Sequence, residues 1–485
     1  MATQEQTSSF EYRRAERARL LEEGKVPYPQ EAHRTHTNEQ ALAQEHEARV
    51  TVAGRVRAIR GHGKIRFVDI EDESGKLQVV IKSNEVDNYE DMNDVNTGDF
   101  IRVTGLRFVT NAGEESVKAQ GFDLISKALR PLPDGWGNNK LQNEETRYRK
   151  RSVDLTLYPE RREVFRKRSR IIQSVRSTLA DYGFLEVETP TLQPLYGGAN
   201  ARPFTTHINA WDMPMYLRIS PELYLKLLVM GGYDKVYEVT KNFRNEGVDR
   251  THNPEFTMME CYAAYWDYND MMDITEEIYE KAARAANGTP VVEYQGQEID
   301  FSQPWRRIPM KEAIKEYLNI DVDTLSDEEL KRAIVDAGLE YEGQWIRGLG
   351  IATLFEAVED QFIQPTFVTD FPRETTSLCK PHREDPTLIE RFEPYVMGWE
   401  IGNAYTELND PVLQRQFWEE ERADDPAAHP LDEGFIEAME YGMPPTGGLG
   451  LGIDRMVMLL TNQTKIRDVI LFPTMKTEVQ NRKEQ

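Results

Sequence analysis

Between about residues 50 and 126 apolar and polar positions alternate with a period of two. Val50, Val52 and Val56 open the pattern, Ile65, Phe67 and Asp69 follow, then Leu77, Val79 and Ile81, with further runs at 100–109 and 116–125. Alternation sends successive side chains to opposite faces, so each run predicts a strand with one covered face. Turn residues separate the runs, among them Glu73-Ser74-Gly75 and Asn111-Ala112-Gly113. Five short strands in so short a stretch predict a small β-barrel over 50–130. Ahead of it, residues 1–49 form a helical segment with a charged surface helix at 10–24. Behind it, Pro131, Pro133, Gly135 and Gly137 mark a linker over 131–159.

The period then changes to that of a helix. Val164, Arg168, Ile171, Ile172, Val175 and Leu179 recur at helical spacing, and Gly183-Phe184-Leu185-Glu186-Val187-Glu188-Thr189-Pro190 ends the helix and starts a strand. Residues 233–264 read as two strands around a polar loop, 265–287 and 310–338 as helices with an acidic surface. After 365 come more strands, an acidic helical stretch at 411–441, and a glycine-rich strand running into a final helix. Regular βαβ alternation is missing. The prediction for 160–485 is therefore an antiparallel sheet flanked by helices, with a helical insertion at about 265–350, and for the whole chain an α+β fold with an N-terminal OB-type barrel.

Charge changes this picture only when it is located. The chain carries 59 Lys and Arg against 83 Asp and Glu, a net of −24, which on its face argues against a nucleic-acid partner. Residues 1–180, however, hold 31 basic and 28 acidic side chains, and the acidity belongs to the rest. Arginine outnumbers lysine, 39 to 20, which suits either a salt-adapted surface or arginine-rich codon usage. With two cysteines, no long apolar run and no apolar leader in MATQEQTSSFEYRRAERARL, a cytoplasmic protein with no membrane partner is expected.

Three segments carry unexpected chemistry. In the strand Glu255–Tyr262, Phe256, Met258, Glu260 and Tyr262 share a face, and a carboxylate among apolar side chains costs several kcal/mol unless it is paired. Upstream lies Phe243-Arg244-Asn245-Glu246, and the intervening loop ends in His252-Asn253-Pro254; a buried Arg–Glu pair stapling a hairpin would also explain these residues. In Glu400–Glu407, Asn403, Tyr405 and Glu407 share a face, with Glu393 on the preceding strand and Gly398 at the turn. Finally, Gly447-Gly448-Leu449-Gly450-Leu451-Gly452-Ile453-Asp454-Arg455 allows a ligand close to the backbone, without being a dinucleotide fingerprint.

Taken together, these segments resemble the three motifs of class II aminoacyl-tRNA synthetases. Gly183–Pro190 with its helix is similar to motif 1, Phe243–Glu246 through Phe256–Glu260 to motif 2, and Gly448–Arg455 to motif 3. Pro194–Phe204, Pro221–Lys226 and Asn403–Asp410 resemble the lysine-specific members, and the likeness spans the chain from about residue 50. It implies activation of lysine with ATP, release of pyrophosphate and transfer of lysine to the 3′ end of lysine tRNA. The resemblance assigns Arg244 and Arg455 to catalysis, and Arg244, Glu246, His252, Asn253, Phe256, Glu393 and Arg455 to ATP. It assigns Gly198, Glu222, Arg244, Glu260, Tyr262, Asn403, Tyr405, Glu407 and Gly450 to lysine, with Glu260, Tyr262 and Glu407 around the ε-ammonium.

The same resemblance implies Mg²⁺ at Glu393 and Glu400, no zinc, and a homodimer through the motif 1 helix and strand. It makes the barrel an anticodon-binding domain, with Phe67 as stacking platform and Gln78 and Glu115 as base readers; by pattern alone Phe67 reads as barrel core. Departures are few: Ser152 for a usual tyrosine, Thr376-Ser377-Leu378-Cys379 for Ser-Pro-Leu-Ala, and Gly447 for alanine. A ligase acting on a protein would lack the strands at 50–126, and a pseudo-enzyme would have lost Arg244, Glu393, Glu400 or Arg455.

Overall fold

The alternating N-terminal pattern closes on itself. The computed structural model describes residues 4–61, 63–133, 141, 143–424 and 430–477. Helices α1 (Gln4–Glu22) and α2 (Asn38–Leu42) precede strands β1 (Arg49–Arg60), β2 (Ile65–Glu71), β3 (Lys76–Lys82), β4 (Phe100–Val109) and β5 (Glu115–Ser126), which form a closed barrel in the order β1-β2-β3-β5-β4. Val52, Val56, Val68, Ile70, Val79, Ile81, Ile101, Val103 and Val117 are fully buried inside it. The face of β2 that packs inward is thus Val68 and Ile70. Phe67 lies on the other face, half-buried and outside this core, so the barrel-core expectation for it fails.

Where a linker is expected over 131–159, its second half instead forms helices α3 (Glu144–Arg149) and α4 (Arg151–Leu157); residues 134–140 and 142 lie outside the described residues. Buried Arg151 explains the order of α4, since its guanidinium donates to Asp154 and to the carbonyls of Arg467, Ile470 and Leu471. The chain divides into two units, Met1–Arg147 and Tyr148–Gln485.

In the second unit Pro159 opens helix α5 (Pro159–Asp181), a position where its missing N–H costs nothing, and Gly183, at φ +79°, follows its end. Short strands β6 (Leu185–Glu186), β7 (Leu192–Gln193), β8 (Thr205–Ile208) and β9 (Met213–Leu217) lead to helix α6 (Glu222–Met230). Then come β10 (Lys235–Phe243), β11 (Glu255–Ala264) and helix α7 (Tyr268–Asn287), which starts on an Asp267–Asp270 capping box. The predicted insertion is mostly helical, with α8 (Met310–Leu318), α9 (Asp327–Asp336) and α10 (Arg347–Phe355), but it also carries the hairpin β12 (Val291–Tyr294) and β13 (Gln297–Asp300) and strand β14 (Arg306–Pro309). The rest is β15 (Thr366–Pro372), β16 (Leu388–Val396), β17 (Trp399–Glu400), β18 (Gly402–Thr406), α11 (Pro411–Asp424), α12 (Glu433–Glu440), β19 (Thr446–Gly452), α13 (Ile453–Leu460) and α14 (Ile466–Val469).

The main sheet runs β14-β15-β16-β18-β19-β11-β10-β6, with β17 beside β16. It is antiparallel, as predicted, except at its two edges, where β14 pairs with β15 and β6 with β10 in parallel. Its alternation positions the site. On β11, Met259, Cys261 and Ala263 pack with Ile171, Val175 and Leu179 of α5 and with α7, which leaves Phe256, Met258, Glu260 and Tyr262 on the opposite face. Leu179 is fully buried in that core, so Leu179→Ala costs about 2–5 kcal/mol of stability, read as an earlier unfolding transition of the second unit in urea.

Candidate active site

The face left by β11, together with β16, β18 and β19, floors a cavity of about 920 Å³. Gly198, Glu222, Arg244, Glu246, His252, Asn253, Phe256, Glu260, Tyr262, Glu400, Asn403, Tyr405, Gly450 and Arg455 all line it, so residues scattered over more than half the chain converge. Two of the expected ligands do not line it. Glu393 and Glu407 stand behind the wall, for reasons the local packing makes plain.

At one end lies an anionic cluster. Glu260 is 4% exposed and accepts hydrogen bonds from Ser220 Oγ at 3.0 and 3.1 Å and from the Tyr262 hydroxyl at 3.2 Å. Burial and the neighbouring Glu222 push its carboxyl up to about 7. Gly198, at φ +82°, packs so tightly there that a Cβ would stand 2.9 Å from Glu222 Cβ. Asn403 accepts from Arg391 Nε at 2.9 Å, which turns its amide nitrogen towards the Tyr405 hydroxyl, 3.4 Å away.

Glu407 is completely buried and does not itself line the cavity. Its Oε2 is 2.5 Å from the chain's own Lys226, which also donates to Glu222 at 2.6 Å. Its Oε1 has no hydrogen-bond partner among the described residues and points at Gly448, where an added Cβ would stand 1.9 Å from it. Gly448 lines the cavity, so only the missing side chain separates that oxygen from the interior.

The other end is cationic and aromatic. Arg244 sits with its guanidinium 5.2 Å from the Phe256 ring centre; its buried Nε has no hydrogen-bond partner, and among the described residues it has no ion-pair partner. Arg455 donates to the Glu400 carbonyl at 2.5 Å and reaches His252 Nε2 at 3.2 Å. An arginine only donates, so Nε2 is the acceptor and the His252 proton sits on Nδ1, 2.8 Å from Asp249. Asp249 is held down at about 2 because backbone N–H groups of Thr251 and His252 and the imidazole outweigh its partial burial. Glu246 accepts from the Arg202 backbone at 3.2 Å, and Asn253, 5% exposed, keeps its Oδ1 without a hydrogen-bond partner.

Glu400 faces the cavity, and enclosure by its walls together with repulsion from Glu393 pushes it up to about 7; with 45% of the side chain still open, the repulsion is the part an added cation would relieve. Glu393, on the same face one strand over, is 8% exposed because Arg391 and the Tyr395 hydroxyl (2.8 Å) each hold one of its oxygens. Among the described residues no group of three or more His, Cys, Asp or Glu is arranged to hold a metal by itself.

Beneath Arg455, Asp454 accepts from Arg168 of α5 at 2.6 Å and from the Thr257 backbone at 2.6 Å, and it ties the start of α13 to β11. Sequence reasoning assigned no role to Lys226, Arg391 or Asp454. A lone lysine in the apolar helix Leu223–Met230, four residues after Glu222, is the signal that could have found the first. In the barrel, Phe67 pairs across β2–β3 with Val80, Gln78 sits opposite Asp69 and beside Ser116, and Glu115 at the start of β5 pairs with Arg107 at 2.8 Å. These three anticodon candidates are neighbours on adjacent strands.

Comparison with known proteins agrees with both units. Residues 143–476 match the family model described as tRNA synthetases class II (D, K and N), and residues 50–125 match an OB-fold nucleic acid binding domain. A lysine–tRNA ligase of Pelotomaculum thermopropionicum is 50% identical over 96% of this chain and 94% of its own length. One from Methanoculleus marisnigri is 48% identical over 95% and 93%, and one from Carboxydothermus hydrogenoformans 47% over 98% and 99%. With motif residues, cavity and both domains in agreement over nearly the full length, the chain belongs to the class II tRNA synthetases of the D, K and N group.

Proposed function

We propose that the chain is a lysine–tRNA ligase, which joins lysine to ATP as lysyl-adenylate and then passes the lysyl group to the 3′ end of lysine tRNA. One observation carries the specificity: the unpartnered Oε1 of buried Glu407, beside Glu260 and Tyr262 at the closed end of the cavity. Such oxygens call for a donor bearing positive charge, and the ε-ammonium supplies it. An amino acid with an apolar or anionic side chain leaves them unpaired, a mismatch large enough to discriminate without editing.

Glu222 and the Gly198 carbonyl take the α-ammonium, with Asn403, Tyr405 and Gly450 along the backbone of the substrate. Arg244, free of a carboxylate of its own, bridges the lysine carboxylate and the α-phosphate. A carboxylate oxygen of lysine forms a bond to the α-phosphorus as the bond to the β-phosphate oxygen breaks, and pyrophosphate leaves. A ribose hydroxyl of the terminal tRNA nucleotide then bonds to the lysyl carbonyl carbon, and AMP departs. Phe256 and Arg455 enclose the adenine, Glu246 and Asn253 hold it, and His252, its tautomer fixed by Asp249, steadies Arg455. These groups position and neutralise; no protein base is needed.

Glu400, open to the cavity, and Glu393, on the same sheet face with each oxygen already met by a donor, would hold a Mg²⁺ ion together with the phosphates. Such an ion supplies charge neutralisation on the phosphates. Exposed Leu185, in the motif 1 segment that follows α5, and exposed Leu192, Leu195 and Trp211 further along the sequence support a homodimer through that segment. The outward Phe67, with Gln78 and Glu115, supports anticodon reading by the barrel. No helix among the described residues is long and apolar enough to cross a membrane, and a translation enzyme works in the cytoplasm.

Lysine-dependent ATP–pyrophosphate exchange tests the activity; exchange with aspartate or asparagine but not lysine overturns it. Glu407→Gln raises the lysine KM about 30-fold or more, roughly 2 kcal/mol, and leaves the ATP KM within about threefold; equal losses make Glu407 structural. Phe67→Ala lowers kcat/KM for tRNA charging at least about tenfold, as expected for loss of one stacked base, with pyrophosphate exchange unchanged.

A further inference from the structure

A buried lysine stands behind the amino-acid end of the cavity. Lys226 is 1% exposed, on helix α6, and its ammonium is flanked by Glu222 at 2.6 Å and Glu407 at 2.5 Å. The Tyr262 ring lies 5.9 Å away, and the buried Cys379 thiol and Tyr405 hydroxyl face the same cluster. Moving a lysine this far from water costs several kcal/mol, and a helix–sheet contact between α6 and β11 has no need of it, since leucine or methionine would fill the space. The geometry makes a different use of it. Three carboxylates, Glu222, Glu260 and Glu407, converge within one apolar chamber, and such a set repels itself in the absence of a cation.

We propose that Lys226 is a positioning residue for the amino-acid site, an internal counter-ion that sits between Glu222 and Glu407 and turns the remaining oxygen of Glu407 under Gly448 towards the cavity. The inference rests on the lysine reading above. Because Lys226 occupies Oε2, the incoming ammonium meets Oε1 alone, and the glycine at 448 is what lets it.

Burial pushes Glu407 up to about 8, and Lys226 works against that rise. Removing the cation therefore lifts the Glu407 carboxyl further still, so that at any pH between 7.5 and 9 a smaller share of it carries the charge that attracts an ammonium. A group whose pKa is raised regains its charge only at higher pH, so the defect shrinks as the pH climbs.

The test uses the full-length enzyme with Lys226→Gln, which keeps two N–H donors and removes the charge, in ATP–pyrophosphate exchange. At pH 7.5 the lysine KM rises about tenfold or more while the ATP KM stays within about threefold, and the lysine deficit narrows between pH 7.5 and 9. In the Glu407→Gln background the same change adds less than about threefold, because the charge it served is gone. If Lys226→Gln alone does not fold, rescue of folding by Glu407→Gln, with the lysine KM of that single variant, supports the assignment, since the double variant leaves one buried carboxylate fewer without its cation. A lysine KM within about twofold of the parent, parallel losses for lysine and ATP, a pH-independent deficit, or full additivity with Glu407→Gln overturns it. Absence of lysine-dependent exchange in the unsubstituted enzyme is a separate result and overturns the lysine reading instead.

Discussion

Like charges cannot be gathered out of water without something between them, and the second unit is built around that constraint. The inner face of its main sheet, which in most proteins would be hydrocarbon, carries or borders Glu222, Glu260, Glu393, Glu400 and Glu407. Each is dealt with differently. Glu393 is gripped by Arg391 and Tyr395, Glu222 and Glu407 share Lys226, and Glu260 rests on hydroxyl groups. Glu400 faces the Arg455 guanidinium at 3.9 Å. The pattern of compensation divides the cavity into an anionic end around Glu260 and a cationic, aromatic end around Arg244 and Phe256.

The fold serves that division by keeping the two faces of each strand apart. On β11 alternate residues go to a core made with α5 and α7 and to the cavity, so that Met259 and Glu260, one bond apart in the chain, live in opposite dielectric environments. The same economy appears at Asp454, which closes the turn from β19 into α13 and at once fixes the direction from which the adjacent Arg455 enters the site.

Much of this was legible from residue order. The period-two run gave five strands, the helical run gave α5, and three polar anomalies in apolar surroundings marked the cavity floor. What escaped has physical reasons. Ile65-Arg66-Phe67-Val68-Asp69-Ile70 has apolar residues on both faces, so its pattern alone could not say whether Phe67 or Val68 points inward; pairing with β3 and closure of the barrel decided it. The helices α3 and α4 follow a proline- and glycine-rich stretch that reads as linker, and they are held by an arginine whose partners are carbonyls some 320 residues away in sequence. Glu407 reads as a pocket residue because it alternates with Asn403 and Tyr405, yet it lies just past the end of β18, fully buried with one oxygen on Lys226.

Gly448 has a consequence for how this enzyme can change over time. Alanine is usually the gentlest exchange for glycine, but here one methyl group would meet the Glu407 carboxylate and the Tyr262 ring at 1.9 and 2.6 Å. The position therefore cannot drift ahead of its neighbour. A side chain at 448 can arrive only after Glu407 has given way, and on the proposed reading of Glu407 that intermediate binds lysine poorly and has gained no new substrate. One missing side chain thus makes the specificity of the pocket hard to leave by single steps.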